Sequence, residues 1–238
     1  MSLIKFESKA ELSEAISEMI GSLLHRAIVQ RGVAHIVLSG GGTPKPVFEA
    51  LAHKPLAWEK VHVWWADERL VPPNDSGSNY GMAKAALLDH VPIPLEQIHR
   101  ARGELSPELA VADYAHQLAQ TASSGYWPRF DVTILGMGGD GHTASLFPGR
   151  YIEEEWTTPV LHVTAEYEGR PADRVTLTPV AINASRNIIY LVTGASKGDA
   201  LVAAFGERDI INWPVHRIQP YDGDVIWAVD YEAASKLA

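Results

Sequence analysis

Short, uninterrupted apolar runs alternate along this chain with segments whose apolar residues recur at helical spacing. Residues 34–39, AHIVLS, form one such run, and residues 9–31 before them carry the helical pattern. A strand that is apolar at every position is typical of a parallel sheet covered on both faces. The alternation therefore predicts an α/β fold of the doubly wound class: a mostly parallel sheet with helices on both faces, a Rossmann-like three-layer sandwich.

The same two patterns recur as far as the C-terminus. They predict strands at residues 61–66, 130–138, 187–194 and 224–230, and helices at 44–53, 78–91, 107–123, 196–206 and 231–238. Residues 159–165 and 174–183 show neither pattern clearly. No internal repeat or low-complexity linker divides the 238 residues, so we expect a single domain over residues 1–238.

The amino-acid composition argues against several classes of function. The chain has no cysteine, which excludes disulfides, thiolate catalysis and cysteine-bound metals and is typical of a reducing cytoplasm. A formal net charge of −9 argues against a nucleic-acid partner, because such binding needs a basic surface. Glu7 and Glu11 interrupt what would be the core of a signal peptide, and no apolar run approaches the roughly 20 residues of a membrane span. We therefore expect a cytoplasmic protein with no nucleic-acid or membrane partner.

Ligands of doubly wound folds bind beyond the carboxyl ends of the strands, so the loops that follow the strands are the candidate site. The loop after residues 34–39 contains Gly40, Gly41 and Gly42, followed by Thr43. Backbone N–H groups of such a loop, together with a helix N-terminus, can bind an anion. The loop is not a Walker A motif, because no Lys-Ser or Lys-Thr pair follows its last glycine. A simple tight turn is the alternative interpretation.

Two cations near the same edge could complete an anion site. Lys197 lies at the start of the helix predicted after residues 187–194, and Arg174 lies in the segment RVTLTP. Arginine binds a phosphate with a planar fork of donors, and lysine binds it as a point charge. Either side chain alone could be an ordinary surface cation. Together with the glycine loop, they would form a pocket for a small phosphorylated ligand.

The stretch GMGGDGHTASLFPG, residues 136–149, allows two interpretations. Gly136, Gly138 and Gly141 match the dinucleotide fingerprint G-x-G-x-x-G. That motif needs a long helix after its third glycine, and the segment FPG at 147–149 stops the chain too soon. The second interpretation is a catalytic loop. A strand end then presents polar side chains among glycines, namely Asp140, His142, Thr143 and Ser145.

His142 is the candidate general base, because histidine ordinarily exchanges a proton near neutral pH. Asp67 and Arg69 follow the strand at residues 61–66, where an acid and a cation on alternate positions can both face a ligand. A solvated turn is the alternative for this pair. No histidine occurs in an H-E-x-x-H motif, so a metal site has little support in the sequence.

Five segments occur here in the order found in 6-phosphogluconolactonases. They are LSGGGTP, WADERLVPPNDSGSNYGMAKAALLDHVPI, GMGGDGHTASLFPG, RVTLT and GASKGDAL. The chain resembles this family from about residue 5 to its C-terminus, and DGHTASLFPG and ADERLVPP are the most specific of the motifs. The resemblance implies the fold of the sugar-phosphate isomerase and lactonase group. It also implies hydrolysis of 6-phospho-D-glucono-1,5-lactone to 6-phosphogluconate in the oxidative pentose phosphate pathway.

The resemblance implies a role for each candidate residue. His142 matches the general base, and Asp67 and Arg69 match the polar pair of the ADER loop. The residues expected to contact the phosphate are Gly41, Gly42, Thr43, Arg174 and Lys197. One departure is the segment INWPVHRIQP, which has Val215 and His216 where small residues are usual after the proline. Because this segment lies away from the motifs, the departure casts little doubt on the family assignment.

The implied chemistry needs few groups. A δ-lactone is an activated ester, so water activated by His142 can attack C1 without a metal, an organic cofactor or a nucleophilic side chain. Backbone N–H groups or Arg69 could stabilise the resulting oxyanion. The implied partner is therefore a sugar phosphate lactone. The oligomeric state stays open between a monomer and a small homo-oligomer.

Two alternatives accompany this interpretation. A glucosamine-6-phosphate deaminase would carry an additional acid after DGH, where this chain has TASLFPG. A non-catalytic sugar-phosphate sensor would usually carry a DNA-binding domain, for which the chain has no spare length. Turnover of the lactone distinguishes the lactonase from both.

Overall fold

The computed structural model describes residues 1–122, 125, 127–149, 153–167 and 169–237. Within these ranges the strands are β1 (Ser2–Phe6), β2 (Ala34–Leu38), β3 (Val61–Trp65), β4 (Asp67–Arg69), β5 (Val132–Gly136), β6 (Val160–Thr164), β7 (Asp173–Leu177), β8 (Asn187–Val192) and β9 (Asp224–Asp230). The larger sheet has the order β1-β9-β8-β5-β2-β3, and its paired strands are all parallel. This arrangement confirms the predicted mostly parallel α/β sheet.

The helices connect these strands and begin where the sequence supplies caps. They are α1 (Lys9–Arg31), α2 (Pro44–Leu51), α3 (Asn79–Ala86), α4 (Pro107–Thr121), α5 (Pro179–Ile182) and α6 (Gly198–Ala204). The hydroxyl groups of Ser8, Ser78 and Ser106 each accept a hydrogen bond from a backbone N–H in the first turn of α1, α3 and α4. Helix α1 ends at Gly32, whose φ of +80° gives the left-handed C-cap that favours glycine.

The core lies on both faces of the larger sheet. Along β8, Ile188 and Tyr190 pack into one buried cluster, while Ile189 and Leu191 pack into another. Helices α1 and α2 contribute side chains to the second cluster, and α4 and α6 contribute to the first. Since side chains alternate between the faces of a strand, the two clusters are the two interlayer cores of a three-layer sandwich.

A second, smaller sheet takes two of its strands, β6 and β7, from segments whose pattern is unclear in the sequence. It contains three antiparallel strands in the order β4-β7-β6. It is joined to the larger sheet at Ala66, whose N–H donates to the carbonyl of Leu38 at 2.8 Å and whose carbonyl accepts from Leu177 at 2.7 Å. The chain therefore passes from β3 directly into the smaller sheet, which places Asp67 and Arg69 next to β7.

At the termini, one prediction was wrong and one strand was not predicted. The segment 231–238 was expected to be a helix, but its described part forms only a 3₁₀ turn at Ala233–Lys236. Strand β1 was not predicted; it is an edge strand stabilised by pairing with β9 at the far end of the chain. Only Phe6 of its five residues is buried, so the strand has neither a continuous apolar run nor an alternating pattern in the sequence.

Candidate active site

A cleft of about 370 Å³ lies at the carboxyl ends of β2, β5 and β8. It is the edge of the sheet at which doubly wound folds bind ligands. All the site residues predicted from the sequence line this cleft: Gly41, Gly42, Thr43, Asp67, Arg69, His142, Arg174 and Lys197. Residues far apart in the chain are therefore brought within reach of one small molecule.

The side chain of His142 is held by its neighbour Asp140. Nδ1 of His142 lies 2.7 Å from Oδ1 of Asp140, and the backbone N–H of His142 donates to the same oxygen at 3.1 Å. A carboxylate at Nδ1 favours the tautomer that is protonated there, which leaves Nε2 to accept a proton. Burial raises the pKa of Asp140, but the hydrogen bonds and charge of His142 outweigh it and hold that pKa below its usual value.

Two glycines provide the space that this pair occupies. A Cβ atom on Gly138 would lie 2.1 Å from Nδ1 of His142 and 2.4 Å from Oδ1 of Asp140. Gly141 has a φ of +78°, and a Cβ atom there would lie 2.5 Å from Cε3 of Trp213. The glycines therefore permit close packing around the imidazole.

No helix follows these glycines within the described residues 142–149, which form turns and a short bridge between Thr143 and Leu146. The dinucleotide fingerprint requires a helix at this point, because the helix N-terminus holds the pyrophosphate. The geometry therefore favours the catalytic interpretation of the loop.

The INWPVHRIQP segment lies directly behind the His142 loop. The N–H of Val215 donates to the carbonyl of Gly141 at 3.1 Å, and the Trp213 ring covers Gly141. The segment is therefore separated from the GMGGDGHTASLFPG motif in sequence but not in space, and the family assignment is unaffected. Separation along the chain concealed a contact that the tertiary fold creates.

Aromatic rings limit the orientation of the imidazole. The ring of Phe147 stacks on His142 with centroids 4.8 Å apart and planes 26° apart. The ring of Tyr167 meets the same imidazole edge-on, with centroids 4.5 Å apart. These contacts, with the Asp140 hydrogen bond, leave the imidazole little rotational freedom.

Asp67 is bound by residues other than His142. Its Oδ2 accepts a hydrogen bond from the hydroxyl of Ser145 at 2.7 Å, and its Oδ1 accepts from Nδ2 of Asn79 at 3.2 Å. Each carboxylate oxygen has a second lone pair, and Asp67 lines the cleft. Asp67 is therefore placed to accept a hydrogen bond from a ligand hydroxyl, while Asp140 orients the imidazole.

Arg69 and Arg174 are direct cross-strand neighbours in the smaller sheet. Nη1 of Arg69 donates to the carbonyl of Gly77 at 2.7 Å, and Nε of Arg174 donates to the carbonyl of Pro171 at 3.1 Å. Within the described part of the chain, Nε of Arg69 and Nη2 of Arg174 are buried without a hydrogen-bond partner. Burial lowers the pKa of Arg174, and the negative charge of Asp67 opposes that shift. Both side chains line the cleft, where two adjacent guanidinium groups can attract an anion.

The glycine loop also lines the cleft. Gly41 has a φ of +111°, which favours glycine, and Pro44 and Pro46 in the following helix carry no N–H group. The loop's own N–H groups are therefore its main backbone donors. The hydroxyl groups of Thr43 and Thr193 lie 3.0 Å apart, which joins this loop to the one containing Lys197.

Several residues that line the cleft were not predicted as site residues from the sequence. They are Lys9, Ser39, Asn79, Tyr167, Arg170 and Thr193. Asn79 had a usable signal, because it lies in the motif segment that also carries Asp67 and Arg69. In the structure Ser78 makes the cap, and Asn79 is left to bind Asp67. Glu68, in contrast, faces the start of α3, where its carboxylate accepts from the N–H groups of Asn79 and Tyr80.

The described residues contain neither a metal-binding cluster nor a membrane-spanning helix. No three histidine, aspartate, glutamate or cysteine side chains among them are grouped so that they could hold a metal ion. None of the helices in these ranges combines the length and apolar character needed to cross a membrane.

Known proteins are similar to this chain in sequence and in fold. A profile of the family described as glucosamine-6-phosphate isomerases/6-phosphogluconolactonase matches residues 7–227. A 6-phosphogluconolactonase of Synechocystis sp. is 40% identical over 240 aligned positions, which cover 97% of this chain and 95% of the relative. The 6-phosphogluconolactonase structure from Trypanosoma brucei has a TM-score of 0.88 at 30% identity and covers 100% of this chain and 98% of that one. A glucosamine-6-phosphate deaminase structure, with a TM-score of 0.85 at 19% identity over 99% of this chain and 100% of that one, is similar in fold alone.

Proposed function

The chain belongs to the family of glucosamine-6-phosphate isomerases and 6-phosphogluconolactonases, and we propose that it hydrolyses 6-phospho-D-glucono-1,5-lactone to 6-phosphogluconate. The observation that carries this proposal is the His142–Asp140 pair, which presents an oriented imidazole in a cleft lined by Arg69, Arg174 and Lys197. A general base beside several cations suits this substrate, because its lactone carbonyl is uncharged and its phosphate, at the other end of the molecule, is a dianion. The product belongs to the oxidative pentose phosphate pathway.

The reaction begins with His142. Its Nε2 accepts a proton from water as the water oxygen bonds to C1 of the lactone. The carbonyl oxygen then bears the negative charge of a tetrahedral intermediate. When the intermediate collapses, the bond between C1 and the ring oxygen breaks, and the imidazolium returns its proton to that oxygen. The Asp140 carboxylate stabilises the imidazolium between these two proton transfers.

The cations of the cleft divide between the oxyanion and the phosphate. Arg69 lies beside Asp67 on β4 and stabilises the charge that develops on the carbonyl oxygen. Arg174, Lys197 and the N–H groups of the glycine loop bind the phosphate. Binding energy from the phosphate fixes the ring against His142, so a part of the substrate that does not react contributes to the rate.

Asp67 recognises the sugar in this proposal. Its carboxylate oxygens keep lone pairs toward the cleft beyond those used by Ser145 and Asn79. A ring hydroxyl of the lactone can donate to one of them. This contact fixes the orientation of the ring, and it leaves proton transfer to His142.

The deaminase alternative is not favoured. The relative that is 40% identical across nearly the whole chain is named a 6-phosphogluconolactonase, whereas the likeness to a deaminase is in fold alone. The segment after DGH also keeps TASLFPG in place of an additional acid.

Lactone turnover by the purified protein tests the proposal, with the spontaneous hydrolysis rate subtracted. We expect His142→Ala to lower kcat by about 10²-fold or more, the usual contribution of a general base. His116→Ala, which changes an exposed histidine on α4, is the matched control and should turn over normally. Absence of turnover by the unmodified protein would refute the lactonase function. Normal turnover by a folded His142→Ala variant would refute the role of His142.

A further inference from the structure

A hydrogen bond between Ser145 and Asp67 joins two separate loops of the cleft. The Ser145 hydroxyl donates to Oδ2 of Asp67 at 2.7 Å across a sequence separation of 78 residues. Ser145 lies on the loop that carries His142, and Asp67 begins the strand that carries Arg69. The bond therefore connects the loop of the proposed base to the strand of the proposed substrate contacts.

Both oxygens of the Asp67 carboxylate are held in this way. Nδ2 of Asn79 donates to Oδ1 at 3.2 Å and also to the backbone carbonyl of Asp67 at 2.8 Å. The exposed fractions of Ser145, Asn79 and Asp67 are 0%, 2% and 6%. Hydrogen bonds to a buried carboxylate are strong, because water competes poorly and one partner is charged. Asp67 can therefore neither rotate nor withdraw without leaving a buried donor unpaired.

The backbone beside Ser145 supports the same contact. Ala144 has a φ of +48°, the one positive value among the described non-glycine residues. A left-handed alanine persists where surrounding contacts hold it, and such residues are concentrated at functional sites. Here Ala144 lines the cleft, and the N–H of Ser145 donates to the hydroxyl of Thr176 at 3.2 Å. The turn sends the Ser145 side chain inward to Asp67 while His142 faces the cleft.

We propose that Ser145 is a positioning residue. Together with Asn79 it fixes the Asp67 carboxylate, and it holds the His142 loop in place relative to the strand that begins with Asp67. This inference rests on the proposed lactonase function for its kinetic consequence, but the positioning itself does not depend on turnover. Ser145 makes no contact with the reacting atoms in this scheme. Its effect on the rate is transmitted through the placement of Asp67 relative to His142.

The kinetic test compares two buried serines. Ser145→Ala removes the hydroxyl that binds Asp67, and Ser185→Ala removes an equally buried hydroxyl whose partner, Thr133 at 2.8 Å, lies away from the cleft. We expect Ser145→Ala to lower kcat by about 10-fold to 10²-fold, the scale on which small misplacements reduce rates. Ser185→Ala should lower the free energy of unfolding but leave kcat within about 2-fold of the value for the unmodified protein. Equal kcat values for the two variants would overturn the proposal.

A double-mutant cycle separates positioning from a general loss of stability. If Ser145 acts through Asp67, adding Ser145→Ala to Asp67→Ala should lower kcat by no more than about 2-fold further. Losses that multiply in the double variant would show that Ser145 acts independently of Asp67 and would contradict the proposal.

Hydrogen exchange supplies a readout that needs no turnover. In Ser145→Ala, the backbone amides of residues 139–146 should exchange faster than in the unmodified protein, and those near Ser185 should not change. Unchanged exchange in 139–146 would overturn the positioning role. A protein without lactonase activity that still shows this increase would refute the proposed function alone.

Discussion

Oδ1 of Asp140 lies 2.7 Å from Nδ1 of His142, and this contact decides which acid orients the imidazole. Asp67 also lines the cleft, but its carboxylate accepts hydrogen bonds from Ser145 and Asn79. The two acids therefore have different tasks. In the proposed mechanism, Asp140 sets the tautomer of the base, and Asp67 binds the substrate.

Asp140→Asn should lower kcat by about 10²-fold or more, since it removes the negative charge that favours the proton on Nδ1 and stabilises the imidazolium. An asparagine amide can instead donate to Nδ1, and Nε2 then carries the proton and cannot act as a base. Affinity for 6-phosphogluconate should change little, because the phosphate contacts remain. Steady-state kinetics and calorimetry measure the two effects, with the exposed substitution Asp89→Asn as control. A kcat near that of the unmodified protein would show that Asp140 does not set the tautomer.

Arg174→Ala and Lys197→Ala should each weaken 6-phosphogluconate binding far more than gluconate binding. Loss of a charge-assisted hydrogen bond to the phosphate costs about 1.5–3 kcal/mol of binding free energy. Gluconate has no phosphate, so its binding does not include this hydrogen bond. Isothermal titration calorimetry with both ligands measures the difference. Arg129→Ala, which removes a cation paired with Asp222 ahead of β5, should leave both affinities unchanged. Equal losses for the two ligands would place these cations elsewhere than at the phosphate.

Gly138→Ala should inactivate the enzyme although the protein folds. Its new Cβ atom would lie 2.1 Å from Nδ1 of His142, so either the imidazole or Asp140 must move. We expect kcat to fall by about 10²-fold, the cost of a misplaced catalytic group. The control Gly21→Ala adds a methyl group on α1 at an ordinary 3.7 Å from Lys54 and should leave kcat unchanged. Full activity in Gly138→Ala would mean that the loop adapts without moving His142.

Three histidines near the amino ends of β2 and β3 form a stacked ladder. His35 and His62 stack at 4.9 Å, His62 and His99 at 5.1 Å, and Nδ1 of His62 lies 2.8 Å from Nε2 of His99. Burial, followed by the neighbouring imidazoles, lowers the pKa of His35 to about 3. Burial and His62 lower the pKa of His99 to about 4. The folded ladder is therefore neutral at pH values where the unfolded chain is protonated.

Stability should fall as the pH drops below 6.5, the ordinary histidine pKa, toward the folded values near 4 and 3. In this window the unfolded state binds more protons, so each such histidine contributes a slope of about 1.4 kcal/mol per pH unit. His99→Phe keeps the stacking on Trp64 and should reduce the slope between pH 6 and pH 4.5, while the exposed substitution His25→Gln should not. Urea unfolding across that range measures both. An unchanged slope in His99→Phe would exclude His99 as a source of acid sensitivity.

The parallel sheet and the ligand-binding edge follow from local sequence patterns. Strands β2, β5 and β8 are apolar at nearly every position, so they could be recognised without knowledge of their partners. Because the carboxyl ends of parallel strands meet at one edge, Gly41, His142 and Lys197 were expected together before any contact was known. The lactonase resemblance, carried by the DGHTASLFPG and ADERLVPP motifs, pointed to the same residues.

What the tertiary structure alone decided is how these residues are held. Strand β4 has three residues, too few for a periodic signal, and its pairing with β7 is what sets Arg69 beside Arg174. The bond from Ser145 to Asp67 and the packing of Trp213 on Gly141 likewise join residues from distant parts of the chain. Local periodicity reports which face of an element is buried, but the partner of a buried polar group depends on which loops the fold brings together. The residues of the cleft that belong to the motifs could therefore be predicted from the sequence, whereas its other lining residues and its internal hydrogen bonds could not.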